Sequence, residues 1–284
     1  MTNCLFLEVI FKSILAGLSI GLGGLIFSIV NFTFNQYVNK SKYYVELGKI
    51  IASDLFSIGL WTVCQFKLML FTGKIGLIFE SIQGCSYYPN LLIMLIFNLS
   101  AAYGFGLAVY YLMKLFKDNS IVDRYKSFCL SIATGKYTNT NHLRVLFQAM
   151  FCGLCVYMAV KSFSLFNGSF KGVLILNYFV LCFVWSGFQH CIANTYYFGQ
   201  VGSFNRDVST NVAICIIGNW LGTFVVSLLH TYLINKPVVE ESSSSSYSSD
   251  LPLDNKADKP KTCRRSILDR QISDSSDDAT YSDI

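Results

Sequence analysis

Charged residues are scarce in this sequence. Asp, Glu, Lys and Arg make up only 14% of its 284 residues, whereas an ordinary soluble domain carries about 25%. Hydrophobic residues make up 53%, and the mean hydropathy is +0.46. Because so little charge cannot cover a water-facing surface, the composition excludes a soluble enzyme and a nucleic-acid-binding domain.

Acidic residues are rarest in the first part of the chain. Residues 1–236 contain 7 Asp and Glu against 16 Lys and Arg, a net charge of +9. Residues 237–284 contain 10 against 6, a net charge of −4. The sequence therefore divides into a basic, apolar part over 1–236 and an acidic tail. The serine-rich segment 237–284 has almost nothing to bury, which predicts that this tail is disordered.

The ten cysteines lack the regular spacing of a disulfide scaffold or a zinc site. Cys152 and Cys155 form a CxxC pair, but it lies in an apolar stretch and has no second pair. Buried small hydrophobic residues are the favoured interpretation. A secreted disulfide scaffold is thus excluded, and we expect no metal and no cofactor.

Long apolar stretches dominate residues 1–236. A membrane-spanning helix needs roughly 20 mostly apolar residues, and six stretches qualify: about 14–34, 50–71, 91–116, 145–166, 173–198 and 208–234. The stretch after Lys12 is too long for a signal-peptide core and has no small-residue cleavage site, so we interpret it as the first span. The sequence predicts an all-α transmembrane bundle of six spans.

Two of these stretches are interrupted at equivalent places in the two halves of the chain. The second span runs into LFTGKIG at 70–76, and the fifth runs into SGFQHCIAN at 186–194. The third helix of each half carries an asparagine among small residues, Asn98 and Asn219. Such paired interruptions are typical of an inverted repeat with broken second and fifth helices, whose ends meet near the membrane midplane where a substrate binds.

His190 is the strongest single candidate for function. An ionisable side chain inside a span costs roughly 2.5 kcal/mol or more unless it faces a polar path, so a functional role is favoured over a structural one. Thr72 carries little weight alone, because threonine at a helix break often bonds only to backbone. Its pairing with His190 across the two halves makes it a second candidate.

Four motifs, occurring in the expected order, resemble the formate/nitrite transporter family of pentameric anion channels. AG at 16–17 with IGL at 20–22 is similar to AGxxIGL, and LFTG at 70–73 to the family's LFTGN loop. SGFQHCIAN at 186–194 resembles SGFEHSVAN, and IGNWLG at 217–222 resembles GNxxGG. The resemblance extends over residues 8–235. It implies a transmembrane transport domain over 1–236, folded as an aquaporin-like bundle with one pore in each of five subunits, and a cytosolic location for the tail 237–284.

The resemblance also implies roles for individual residues. Lys136 is similar to a family lysine that lines the outer vestibule. The predicted substrate path combines Lys136 with Thr72, Asn98, His190, Asn194 and Asn219. Six apolar residues match the family's hydrophobic constrictions: Phe56, Leu60, Leu70, Phe71, Val156 and Phe183.

This chain departs from the family pattern at four positions. Met69 stands where the family has a glutamate before the LFT loop, and Lys74 where it has an asparagine after the glycine. Gln189 replaces the glutamate beside the histidine, and Gly153 replaces an asparagine in the fourth helix. The substrate selectivity of bacterial members is therefore not carried over.

The implied function is proton-coupled transport or channelling of small monocarboxylates and related weak-acid anions such as formate, lactate and nitrite. A bare carboxylate meets a large desolvation cost at an apolar constriction, whereas desolvation raises its pKa and favours a neutral acid that can cross. The expected partners are the small anion, protons, the lipid bilayer and further copies of the chain in a homopentamer, without nucleic acid.

Two alternatives remain. An aquaporin-like channel for neutral solutes would break its helices at Asn-Pro-Ala, but residues 90–236 contain no proline. An intramembrane enzyme could use His190 as a base, but the sequence has no HxxxH or GxSxG motif, and Asp54 is its one acidic residue well inside a span.

The resemblance places the protein in the plasma membrane with cytosolic N- and C-termini. That orientation leaves five Lys and Arg near the membrane inside and ten outside, against the usual excess of positive charge in cytoplasmic loops. The charge count and the resemblance therefore give opposite orientations, and we follow the resemblance.

Overall fold

The computed structural model describes residues 2–37, 42–76, 87–116, 119–138 and 141–234. Over these ranges the secondary structure is helical and contains no strand, which confirms the all-α prediction. The helices are α1 (Thr2–Tyr37), α2 (Lys42–Gln65), α3 (Phe71–Lys74), α4 (Tyr87–Leu115), α5 (Ser120–Tyr137), α6 (His142–Leu165), α7 (Phe170–Trp185), α8 (Cys191–Gln200) and α9 (Arg206–Ile234). The tail predicted to be disordered, 237–284, lies outside the described residues.

Within this described part, five helices are long and apolar enough to cross a membrane: Phe6–Gln36, Lys42–Gln65, Pro89–Leu115, His142–Leu165 and Arg206–Tyr232. They correspond to the first, second, third, fourth and sixth predicted spans. The fifth predicted span is divided between α7, which has 16 residues, and the 10-residue α8. The second span is likewise followed by a break and the four-residue α3. Both predicted interruptions are therefore present.

The two halves of the chain pack in the same way. In the first half α1 contacts α2 and α4, and in the second half α6 contacts α7 and α9. Each short helix then crosses into the opposite half, because α8 packs on α1 and α4 while α3 packs on α6 and α9. This exchange is the arrangement expected of an inverted repeat, and it brings both breaks into one core.

The connection between the third and fourth spans contains a helix that the sequence analysis did not assign. Asn119 begins α5 by accepting hydrogen bonds from the N–H groups of Ile121 and Val122, at 3.0 and 3.3 Å. The hydroxyl of Tyr125 on α5 then accepts a 2.9 Å bond from Nε2 of Gln200, at the end of α8. The charged residues of this polar segment hide the helix from a search for apolar spans.

Candidate functional site

Both interrupted helices end with the same backbone geometry. The N–H of Leu68 donates a 2.9 Å hydrogen bond to the carbonyl of Val63, and the N–H of Phe188 donates a 3.0 Å bond to the carbonyl of Phe183. In both cases the acceptor lies five residues before the donor. This bond defines a Schellman ending, whose preceding residue adopts a left-handed conformation. That residue is Lys67 after α2, with φ 50°, and Gly187 after α7, with φ 72°. The chain then leaves the helix axis and enters the short helix at an angle.

Asn98 on α4 fixes the first break. Its Oδ1 accepts a 2.8 Å hydrogen bond from the N–H of Phe71, the first residue of α3. Its Nδ2 donates to the carbonyls of Ser13 and Met69, at 2.7 and 3.0 Å. One fully buried amide thereby satisfies the two backbone groups at the break, the Phe71 N–H and the Met69 carbonyl, and ties them to the Ser13 carbonyl of α1.

Asn219 on α9 fixes the second break in the same way. Its Oδ1 accepts a 2.9 Å hydrogen bond from the N–H of Cys191, the first residue of α8. Its Nδ2 donates to the carbonyls of Ala149 and Gln189, both at 2.8 Å. Asn98 and Asn219 were predicted to line the substrate path, but the structure places their amides on the backbone of the breaks.

Thr72 and His190 meet between the two breaks, although 118 residues separate them in sequence. Thr72 Oγ1 and His190 Nε2 are 3.1 Å apart, and both side chains are buried. His190 also caps α8, since its Nδ1 accepts a 3.1 Å hydrogen bond from the N–H of Ala193. An Nδ1 that accepts carries no proton, so in the neutral ring the proton is on Nε2, which points toward Thr72.

A cavity of about 380 Å³, which we call the vestibule, reaches His190. Its basic lining residues are Lys49 of α2, Lys136 of α5 and Arg144 of α6, and no Asp or Glu of the described ranges lines it. The remaining lining residues are Phe27, Asn31, Phe56, Ile132, Gly135, Gln148, Phe183, Val184, Ser186, Gly187, Phe188, Gln189, Ala193, Asn194 and Tyr197. A basic mouth thus adjoins a buried imidazole.

Phe56 and Phe183 are the two predicted constriction residues that line the vestibule. Their rings meet edge to face with centroids 6.1 Å apart, and the Phe183 ring also stacks on His190 at 6.0 Å. The other four belong to the same buried hydrophobic core but do not line this cavity: Leu60, Leu70, Phe71 and Val156. An aromatic pair therefore stands beside His190 where the vestibule reaches it.

Lys136 lies near the end of α5, outside the candidate spans. Asn211 of α9 holds this position, because its Nδ2 donates a 2.8 Å hydrogen bond to the Lys136 carbonyl. The ammonium group lies 5.8 Å from the centre of the Tyr197 ring. Burial lowers the pKa of Lys136 below its ordinary value, and the positive charge of Lys49 acts in the same direction.

Asn194 also lines the vestibule. Its Nδ2 donates to Oε1 of Gln189 at 2.7 Å and to Oδ1 of Asn211 at 3.2 Å, so it joins the His190 loop to the residue that holds Lys136. Its Oδ1 is buried and has no hydrogen-bond partner among the described residues. This oxygen is an acceptor that a water or an acid proton could satisfy.

The lining residues that the sequence analysis did not single out include three that can bind an anion or its water: Lys49, Arg144 and Gln148. Both Lys49 and Arg144 were counted among the basic residues of the predicted outer segments. Nothing in their spacing showed that helices α2 and α6 would bring them to the same cavity as Lys136. Within the described ranges, no group of three His, Cys, Asp or Glu could hold a metal ion.

Comparisons with known proteins agree with this arrangement. The sequence model described as Formate/nitrite transporter matches residues 2–233. A solved structure titled "Pentameric formate channel with formate bound" superposes with a TM-score of 0.69 at 20% identity, over 82% of this chain and 99% of that one. A second solved structure, titled "FNT family ion channel", superposes with a TM-score of 0.67 at 20% identity, over 83% of this chain and 93% of that one. A search of curated protein sequences found no significant match.

Proposed function

This chain belongs to the formate/nitrite transporter family, and from that membership we propose that it carries small weak-acid anions across the membrane together with protons. Formate and lactate are the candidate substrates. The observation that carries the proposal is the vestibule, in which three cations, none of them paired with a carboxylate of the described residues, adjoin the buried pair Thr72 and His190. Such a mouth collects anions, and the apolar core behind it excludes charge.

The anion is captured first. Lys136 raises the local concentration of negative ions at the mouth, and the vestibule is wide enough for a small carboxylate with its water. As the carboxylate approaches Phe56 and Phe183 it loses hydration, which raises its own pKa and makes protonation favourable. The acid that crosses is then neutral.

The geometry of His190 favours water as the source of the proton. Nδ1 already accepts the Ala193 N–H, so a second ring proton would place two donors against each other. His190 therefore acts as a neutral hydrogen-bond donor through Nε2, with Thr72 as its neighbour in the same buried position. In this mechanism the imidazole orients the acid and does not shuttle its proton.

Leu60, Leu70, Phe71 and Val156 complete the proposed path as its second apolar constriction, beyond Thr72 and His190. Asn98 and Asn219 position the broken helices, and Asn194 contributes an acceptor. The family and the solved relatives are transporters and channels, so no enzymatic role is assigned.

A pentamer in the plasma membrane, with both termini cytosolic, is the proposed assembly. The solved structure that superposes at a TM-score of 0.69 is a pentameric formate channel. The large apolar residues exposed on the outer helix faces, among them Phe151, Leu228 and Tyr232, suit lipid or neighbouring subunits.

Neither alternative function fits the described residues as well. A channel for neutral solutes has no need of three cations at its mouth. An intramembrane hydrolase would need an acidic or metal partner for His190, but Asp54 accepts a 2.6 Å hydrogen bond from Asn177 instead and does not line the vestibule.

Proteoliposomes test the proposal. We expect an inward proton gradient to drive uptake of labelled formate and lactate without electrical current, and His190→Phe to abolish that uptake. His142→Phe is the matched control, because His142 is exposed at the start of α6 and does not line the vestibule. Absence of acid uptake by the wild-type protein, or uptake that is independent of the proton gradient, would overturn the proposal.

A further inference from the structure

The vestibule holds more positive charge than the capture of a single carboxylate requires. Lys49, Lys136 and Arg144 come from three different helices and line one cavity. Lys49 and Lys136 are half-buried, and Arg144 is exposed. The positive charge of Lys49 contributes, after burial, to lowering the pKa of Lys136.

Among the residues that the structure describes, no acidic side chain lines the vestibule beside these three cations. The ion pairs formed between described residues are Lys12 with Glu8 and Lys126 with Asp123, and neither pair lines the vestibule. At the position beside His190, where the family motif has a glutamate, this chain has the neutral Gln189. The cavity therefore keeps an uncompensated positive field, which only ions from solution can neutralise.

The space and the donor chemistry suit an ion larger than formate. The vestibule, at about 380 Å³, is far larger than the roughly 30 Å³ that one water occupies in the liquid. The planar guanidinium of Arg144 can bind a carboxylate or phosphate with two parallel hydrogen bonds, and a lysine ammonium adds a mobile point charge. An ion with several negative charges gains attraction from each charge while it loses its freedom of motion only once.

From these observations we infer that the vestibule binds small oxyanions with two or more negative charges, of the polycarboxylate or phosphate class. Binding itself does not depend on the proposed function, but the effect of binding on transport rests on it. A monocarboxylate becomes neutral with one proton, whereas a dianion with one proton still carries charge. The singly protonated dianion would therefore pay the free-energy cost of desolvating a charge at the buried pair Phe56 and Phe183, and it stays in the vestibule. The multivalent anion thus occupies the mouth and competes with the permeant acid.

Binding is tested on the purified wild-type protein by thermal unfolding. Sodium succinate and sodium phosphate are compared with sodium chloride and sodium acetate at equal ionic strength and pH. We expect one or both multivalent salts to raise Tm by roughly 3 °C over the monovalent salts, as saturating ligand does for a protein of this size. The larger rise identifies polycarboxylate or phosphate as the preferred ligand. Equal Tm values in all four salts would overturn the inference.

Matched variants locate the site. Arg144→Gln and Lys49→Gln are expected to lose at least half of the rise, because each removes a vestibule cation. Lys126→Gln keeps the rise, because Lys126 faces Asp123 outside the vestibule. An undiminished rise in both vestibule variants would place the binding elsewhere and overturn the assignment.

Transport provides the second readout. We expect external succinate to reduce labelled formate uptake by the wild type at least about threefold at constant ionic strength, and the reduction, relative to each variant's own uptake, to be smaller in Arg144→Gln. Accumulation of labelled succinate inside the vesicles would contradict its exclusion. If the wild type takes up no formate, the proposed function fails while the Tm series still decides the binding. If formate enters but the Tm values agree, the inference fails alone.

Discussion

Gly153 of α6 lies directly against the backbone of Asn219 of α9, where a Cβ atom on residue 153 would overlap the Asn219 carbonyl oxygen. Gly17 and Asn98 are related in the same way in the first half, where a Cβ on residue 17 would lie 2.5 Å from the Asn98 carbonyl oxygen. In each pair the glycine lets two long helices touch at the level of the break. The asparagine side chain can therefore reach the backbone groups that the break exposes.

This contact predicts the effect of a methyl group. Gly153→Ala should destabilise the protein by about 1–3 kcal/mol, because α6 and α9 must separate to admit the Cβ. Gly104→Ala is the control, since a Cβ at that position meets no described atom within 4 Å apart from its chain neighbours and the backbone of its own helix, and there the change should be neutral or slightly stabilising. Thermal unfolding in detergent measures both. Equal behaviour of the two variants would refute the packing argument.

The two asparagines are expected to matter for stability. Asn98→Ala and Asn219→Ala each leave two buried backbone groups at a break without a partner, one N–H and one carbonyl, and we expect a loss of about 1–3 kcal/mol for each group that water cannot reach. Asn35→Ala provides the comparison, because Asn35 is exposed and bonds within its own helix. If Asn98→Ala and Asn219→Ala are as stable as Asn35→Ala in thermal unfolding, the two asparagines do not stabilise the breaks.

Substitutions at the ends of α2 and α7 should change stability in opposite directions, because glycine is absent from the first left-handed position and present at the second. Lys67 adopts φ 50° without being glycine, so Lys67→Gly should remove about 1 kcal/mol of left-handed strain. Gly187 adopts φ 72°, and a Cβ there would meet no described atom within 4 Å beyond its two chain neighbours, so Gly187→Ala should lose stability through strain alone. Tm shifts of opposite sign are expected, and shifts of the same sign would contradict the shared Schellman geometry.

Replacing His190 by asparagine asks where the proton comes from. Asparagine keeps a donor but cannot titrate near neutral pH, where histidine alone ordinarily changes charge. If water supplies the proton, as the Ala193 bond to Nδ1 favours, His190→Asn should remain electroneutral and only slow down. Current recordings beside internal pH traces measure this. A proton-independent anion current in the variant would instead make His190 the shuttle.

Lys136 is expected to set apparent affinity rather than maximal rate. Lys136→Ala should raise KM for formate with little change in the rate at saturation, because a mouth charge recruits anions without entering the constriction. Lys126→Ala, on the same helix but paired with Asp123, should leave KM unchanged. High salt should reduce the difference in KM between the wild type and Lys136→Ala, since the Debye length falls from about 10 Å at 0.1 M to about 3 Å at 1 M.

The pH dependence of that affinity has a definite sign. Burial lowers the pKa of Lys136, so its ammonium loses its proton at a lower pH than an ordinary lysine does. Lys136→Arg stays charged throughout. At a constant proton gradient, the KM of the wild type relative to Lys136→Arg should therefore rise as the pH increases. A ratio that stays flat up to the ordinary lysine range would show that Lys136 does not carry the capture.

Much of the fold could be predicted from the sequence because its determinants are local. Apolar stretches of sufficient length define spans wherever they occur, and the interruptions at 70–76 and 186–194 were visible as breaks in those stretches. The pairing of Thr72 with His190 followed from the equivalence of the two halves. Helix α5 was missed because a polar, amphipathic helix outside the apolar core leaves no comparable signal.

The sequence by itself determined the membrane class, the repeat and the residues at its two breaks, since hydrophobicity and helix interruption are properties of neighbouring residues. The tertiary structure decided what those residues contact. Asn98 and Asn219 bond to backbone because glycines on facing helices bring them close, and Lys49, Lys136 and Arg144 share a cavity because three separate helices converge there. Such meetings depend on how distant segments pack, which no local pattern specifies.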